Sequence, residues 1–197
     1  MDFYAMEADT DEEGRIINFR YKKDHRGRSW IEGVRFDPNA ERVFLKPPPT
    51  PVVIYLDSKK SHYPMPTFDK TPLPLLRKDL LEVLLRCGVK NMDVYPVEIR
   101  DENENKISEE YYAFNLIGLV DGVDFEKSKI DQDQMSKNID MQIDSLRINP
   151  KAVQGFHMFR LSQNLSSIIV DESIKKAVEL AKIPMVRFFL TQDVAIL

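Results

Sequence analysis

Between Leu75 and Cys87 the apolar residues Leu76, Leu80, Val83, Leu84 and Cys87 recur at three- and four-residue steps, whereas most other apolar runs in the chain alternate at two. The first period is that of an amphipathic helix and the second that of a half-buried strand. The spacing predicts a helix over residues 75–87 with Arg77, Lys78, Glu82 and Arg86 outward, Glu82 standing four residues before Arg86 in the favourable order. Leu81 and Leu85 widen the apolar surface, so burial over most of the circumference is expected. Gly88 can take the left-handed conformation that ends a helix. Beyond it, Met92 to Arg100 and Tyr111 to Val120 read as strands joined through the polar run Asp101-Glu102-Asn103-Glu104-Asn105-Lys106, a hairpin with a long loop. Ile139, Met141 and Ile143 alternate again, as do Leu146 and Ile148; Phe156 to Leu161 and Ser167 to Val170 are further strand candidates. A second helix is predicted from the N-cap Asp171 to about Lys182, with Ile174, Ala177, Val178 and Ala181 inward and Pro184 beyond its end. Met185 to Leu190 reads as a last strand.

Upstream, Phe3 to Met6, Ile16 to Tyr21 and Ser29 to Ile31 are short β-prone runs separated by polar turns, and are expected to form hairpins; Glu41 to Leu45 is another short β-prone run. Lys46-Pro47-Pro48-Pro49-Thr50-Pro51 follows, where fixed φ and missing amide donors forbid helix and favour a stiff connector. Val52 to Tyr55 reads as a buried strand, and a second proline-bearing stretch runs from Tyr63 to Pro74. The expected fold class is α+β: a largely antiparallel β-sheet with at least two packed helices and a β-rich N-terminal lobe. A chain of 197 residues is expected to form one domain, residues 1–197, with a lobe over 1–70 and a core over 71–197.

A chain that is 43% hydrophobic and 30% charged is composed like a folded domain. The start, Met1-Asp2-Phe3-Tyr4-Ala5-Met6-Glu7, lacks the basic-then-apolar pattern of a secretory signal, and no apolar run has the length of a membrane span, so a cytoplasmic location without membrane contact is expected. One cysteine, Cys87, cannot form an internal disulfide, and on a leucine-rich stripe it reads as core filling.

Residue types that carry chemistry are scattered. The seven glycines do not fall into a dinucleotide or Walker spacing, and no Gly-x-Ser-x-Gly elbow surrounds a serine. His25, His62 and His157 lie far apart without cysteine partners, so neither a metal centre nor a cofactor is expected. Asp121, Asp124 and Glu126 form a carboxylate cluster that reads as chain-turning, with acid-base work as the alternative. Lys22, Lys23, Arg26 and Arg28, beside His25 and Trp30, form a basic loop that reads as a solvated hairpin tip; in a chain of net charge −4 nucleic-acid binding is not expected.

Acidic clusters are more suggestive: Asp9, Asp11, Glu12 and Glu13 in one loop, Asp101, Glu102 and Glu104 in another, Asp131 and Asp133 in a third. Each would ordinarily keep a loop in water, and together they can attract a basic protein.

The stretch from the leucine-rich helix onward resembles a known family. The residues that carry the likeness are Leu76-Arg77-Lys78-Asp79-Leu80-Leu81-Glu82-Val83-Leu84, then Val89-Lys90-Asn91-Met92-Asp93-Val94-Tyr95-Pro96-Val97, Tyr111-Tyr112-Ala113-Phe114-Asn115-Leu116 and Val120-Asp121. Val123-Asp124-Phe125-Glu126-Lys127-Ser128 is similar to the family's Asp-x-x-x-Ser turn, and Phe159-Arg160-Leu161, Ile168-Ile169-Val170-Asp171-Glu172 and Val186-Arg187-Phe188 continue the match to about residue 190. The family is the eleventh group of immunity proteins of bacterial polymorphic toxin systems, formerly a domain of unknown function. Ile183-Pro184-Met185 departs from it, standing where a glycine is expected before Val-Arg-Phe. The resemblance implies a non-enzymatic protein that binds and neutralises a cognate toxin, with a nuclease as one candidate, and brings no catalytic motif. Asp124 and Ser128 are then a local turn, and the three acidic loops are the candidate toxin-binding residues. A small enzyme with carboxylates around Asp121 to Asp131 lining a pocket, or an adaptor unrelated to toxins, are the alternatives.

Overall fold

Strand β1 (Phe3–Ala8) shows how this chain is layered, because its side chains divide between two apolar clusters: Phe3 and Ala5 enter one, Tyr4 and Met6 the other. The computed structural model describes residues 2–17, 19–20, 27–56, 62–70, 73–131, 133 and 140–196. Within them β2 (Phe19–Arg20), β3 (Val52–Leu56), β4 (Phe68–Asp69), β5 (Leu75–Arg77), β6 (Met92–Arg100) and β7 (Lys106–Leu116) build a six-stranded sheet in the order β2-β3-β6-β7-β5-β4. β1 joins strands from the other end of the sequence, β8 (Leu119–Val120), β9 (Met158–Leu161), β10 (Ile169–Asp171) and β11 (Val186–Leu190), in a five-stranded sheet ordered β11-β1-β10-β9-β8. The ladders are antiparallel apart from β3 with β6 and β8 with β9.

Helices α1 (Lys78–Arg86) and α2 (Glu172–Leu180) touch each other between the sheets. Leu80, Val83 and Leu84 of α1 and Ile174 and Val178 of α2 meet Leu76, Phe114 and Leu116 of the six-stranded sheet and Met6, Met158 and Val170 of the five-stranded one. The period-two alternation then sends the next residues outward. Leu75, Val97, Tyr111 and Ala113 pack under Ile17, Trp30 and Phe36, while Phe159, Leu161 and Ile169 pack under Val123, Met141, Leu146 and Val153. The fold is α+β and rich in strand.

Several expected boundaries move, each for a tertiary reason. Leu75–Arg77 is strand, paired Leu75 to Ala113 and Leu76 to Tyr112, so α1 begins only at Lys78. α1 also buries a single stripe: Leu85 is 54% exposed, against the expectation of burial over most of the circumference. Its end is as expected, with Gly88 at φ +87° and the Val89 amide bonded to the Leu84 carbonyl at 3.1 Å. The β6–β7 loop is short, residues 101–105, because the charged run from Lys106 extends β7. Pro96 is tolerated within β6 because pairing with β3 starts at Val97.

Ser29–Ile31 and Glu41–Leu45 do not form strands; they contribute to 3₁₀ turns at Gly27–Trp30 and Val43–Leu45. The first seats Trp30 edge-on to Phe36 and Tyr95 at centroid separations of 4.9 and 5.7 Å. Met141 to Ile148 forms isolated bridges, Val123 to Ile148, Lys129 to Ser145 and Ile143 to Ile196, instead of strands; Ile139 lies outside the described residues. Gly33 and Gly118 approach so closely that a Cβ on Gly33 would stand 2.9 Å from the Gly118 carbonyl carbon, and this contact holds the N-terminal layer against the crossing between the sheets.

Candidate functional site

The acidic loops are shaped by their own carboxylates. In the first, Asp11 Oδ1 accepts the Glu13 and Arg15 amides at 3.0 and 2.7 Å, and Oδ2 accepts Arg15 Nε at 2.9 Å. The Arg15 backbone bond leads in holding the Asp11 carboxyl below its usual range, against some desolvation. Asp9 accepts the Thr10 amide at 2.9 Å and lies 3.7 Å from Arg187 of β11; Glu13 pairs with Arg15. In the second loop Asp101 Oδ1 accepts the Asn103 and Asn105 amides, each at 2.8 Å, and Oδ2 accepts the Asn105 side chain at 2.9 Å. That side-chain bond leads in lowering the Asp101 pKa. Glu104, at φ +64°, accepts the Tyr55 hydroxyl of β3 at 3.0 Å and Arg100 Nη1 at 3.0 Å. Glu12 and Glu102 are exposed and make no hydrogen bond or ion pair among the described residues; the same holds of Asp131. Asp133 is exposed.

The loops occupy different places. The first follows β1 beside Met185 and Arg187, the second is the tip of the β6–β7 hairpin against β3, and the third follows the segment that covers the outer face of the five-stranded sheet.

The 124–128 turn is closed by backbone: the Ser128 amide donates to the Asp124 carbonyl at 2.8 Å. Ser128 Oγ accepts the Arg147 amide at 2.9 Å, tying the turn to residues 145–149, and Asp124 Oδ2 pairs with Lys127 Nζ at 2.6 Å. The Lys127 bond leads in lowering the Asp124 pKa. Asp121 turns elsewhere, accepting Gln163 Nε2, so these two carboxylates do not converge. An open hollow of about 650 Å³ beside the turn is lined by Phe125, Lys127 and Lys151 among others, and Phe125 is 42% exposed.

Three features were not read from the sequence. His157 and Asp171, fourteen residues apart, are brought together by the β9–β10 ladder, with Nδ1 2.7 Å from Asp171 Oδ2. Asp171 is 1% exposed and also caps α2, its Oδ1 accepting the Ser173 and Ile174 amides at 3.0 and 3.1 Å. The imidazole faces a cavity of about 410 Å³ lined by Gly88, Lys90, Asn91, Gly155, Phe156 and His157. Arg160 of β9 is fully buried; Nη1 donates to the Leu165 carbonyl at 2.6 Å, while Nε and Nη2 have no partner among the described residues. Burial brings its pKa down to about 10. In Phe159-Arg160-Leu161 the period-two alternation reads Arg160 as a solvent-facing position, so the sequence pattern pointed away from its burial.

Cys87 packs against the helix cluster, and burial pushes its thiol above the ordinary value, with the Asp171 charge acting the same way. Among the described residues no group of three or more His, Cys, Asp and Glu side chains is placed to hold a metal ion, and no helix is long and apolar enough to cross a membrane. Lys22, Lys23, His25 and Arg26 of the basic loop lie outside the described residues; Arg28 pairs with Asp140 at 2.8 Å.

The sequence matches the family model described as Immunity protein family (Imm11) over residues 2–192, extending the likeness seen from residue 75 onward through the N-terminal strands. No curated protein matches the chain.

Proposed function

This chain belongs to the immunity protein family Imm11, and we propose that it binds a cognate bacterial toxin domain and neutralises it without catalysis, in the cytoplasm of the cell that makes both. The family match over residues 2–192 carries the proposal. The loops support a docking role in physical terms. Asp11 and Asp101 spend their oxygens on neighbouring amides, which fixes loop shape and leaves Glu12 and Glu102 outward with unengaged carboxylates. Loops ordered before encounter lose less conformational freedom on binding. Glu12, Glu102 and Asp131 are therefore the residues of the acidic set best placed to meet a basic partner, and a nuclease cleft built for phosphates is such a surface.

Co-expression with the toxin gene encoded beside it tests the proposal. The expected result is rescue of growth and co-purification of the two proteins at fixed stoichiometry. Rescue without a complex would point to an enzymatic or indirect mechanism, and failure of both would remove the toxin-neutralising reading.

A further inference from the structure

The cavity beside His157 stands apart from the acidic loops in its chemistry. Among the described residues its lining includes one lysine and one histidine and no carboxylate, in a chain whose acidic residues outnumber its basic ones 32 to 28. Lys90 is exposed at its rim. The His157 ring is fixed from behind by the Asp171 carboxylate, which is itself held by the first amides of α2. With Nδ1 committed to Asp171, the other ring nitrogen is the edge left for a ligand, and it lies 3.7 Å from where a Cβ on Gly88 would sit. Two glycines at φ +87°, Gly88 and Gly155, keep the walls free of side chains and the backbone accessible. The Asn91 side-chain amide is spent on structure, its Nδ2 donating to the Met158 and Ile117 carbonyls.

We propose that this cavity binds a small oxyanion, the phosphate or carboxylate group of a metabolite-sized ligand, between Lys90 Nζ and His157 Nε2. With the ring protonated, its Nε2–H and the Lys90 ammonium can make charge-assisted bonds to such a group, and a volume of about 410 Å³ admits a ligand larger than the anion alone. The site needs no toxin and is tested on the free protein, so its failure would leave the toxin-neutralising proposal untouched.

Inorganic phosphate is titrated into the chain in mildly acidic buffer while the ring resonances of the three histidines are followed by NMR, with acetate in a parallel arm. The expected result is a saturable shift of His157 alone, with His25 and His62 as internal controls. Lys90→Ala, on an exposed side chain, should weaken the apparent affinity roughly fivefold. His157→Asn, whose amide can still reach Asp171, should abolish saturable phosphate binding when the same titration is followed by isothermal calorimetry. Saturation by phosphate or by acetate identifies which oxyanion the cavity prefers. A His157 shift no larger than those of His25 and His62, or an unchanged affinity in Lys90→Ala, would overturn the proposal.

Discussion

Replacing Asp171 by alanine should destabilise the chain more than any surface change, because one buried side chain joins α2 to the β9–β10 ladder. Its Oδ1 accepts two amides of the first helical turn, at 3.0 and 3.1 Å. Loss of an N-cap costs typically about 1 kcal/mol. Oδ2 lies 2.7 Å from His157 Nδ1, and a hydrogen bond to a charged group is worth roughly 1.5–3 kcal/mol. The imidazole is 40% exposed, so solvent screening brings its share to about 1 kcal/mol. Together Asp171→Ala should cost about 2 kcal/mol, lowering Tm by roughly 2–4 °C for each of those. Asp171→Asn keeps a good capping oxygen and forfeits mainly the charge, so about 1 kcal/mol is expected. Urea denaturation followed by circular dichroism measures both. A loss under about 1 kcal/mol in the alanine variant, or equal losses in the two, would refute the division between the cap and the His157 hydrogen bond.

Arg160 is buried without a carboxylate partner among the described residues, so Arg160→Met, which fills similar volume, should be neutral or stabilising by about 1 kcal/mol; a loss above roughly 2 kcal/mol would mean that its Nε and Nη2 groups are satisfied in solution. Asp11 and Asp101 have depressed carboxyl pKa values, led by the Arg15 backbone bond and the Asn105 side-chain bond respectively. Their stabilising effect is complete above the unfolded value near about pH 4 and is lost as pH falls through the folded values, so Asp11→Asn with Asp101→Asn should flatten the acid limb of a stability profile. We also propose a single cooperative domain: Trp30 fluorescence, reporting the N-terminal layer, and far-UV dichroism should give one coincident urea transition, and two separated midpoints would count against it.

What the sequence made legible was local. The α2 cap at Asp171, the left-handed stop at Gly88 and the strands β6, β7 and β11 follow from neighbours within a few residues, and all are present. Partner choice was less legible. Phe3 to Met6 read as part of an N-terminal hairpin, yet the strand it belongs to pairs with β10 and β11 from the far end of the chain, and no short-range signal marks such a pairing. Leu75-Leu76-Arg77 fits either period, and the ladder to β7 decides for strand. The acidic loops were visible as composition, but which carboxylates hold the loop and which face outward depends on bonds such as Asp101 to Asn105. His157 beside Asp171 arises from strand register, so neither residue alone announced the cavity.

The association rate with the toxin domain, measured by stopped flow over a series of ionic strengths, tests docking through the acidic loops most directly. The wild-type rate should fall as salt rises, and the triple variant Glu12→Lys, Glu102→Lys, Asp131→Lys, with an unchanged melting curve, should associate at least about tenfold more slowly at low salt. An unaltered rate and salt slope in that variant would contradict it.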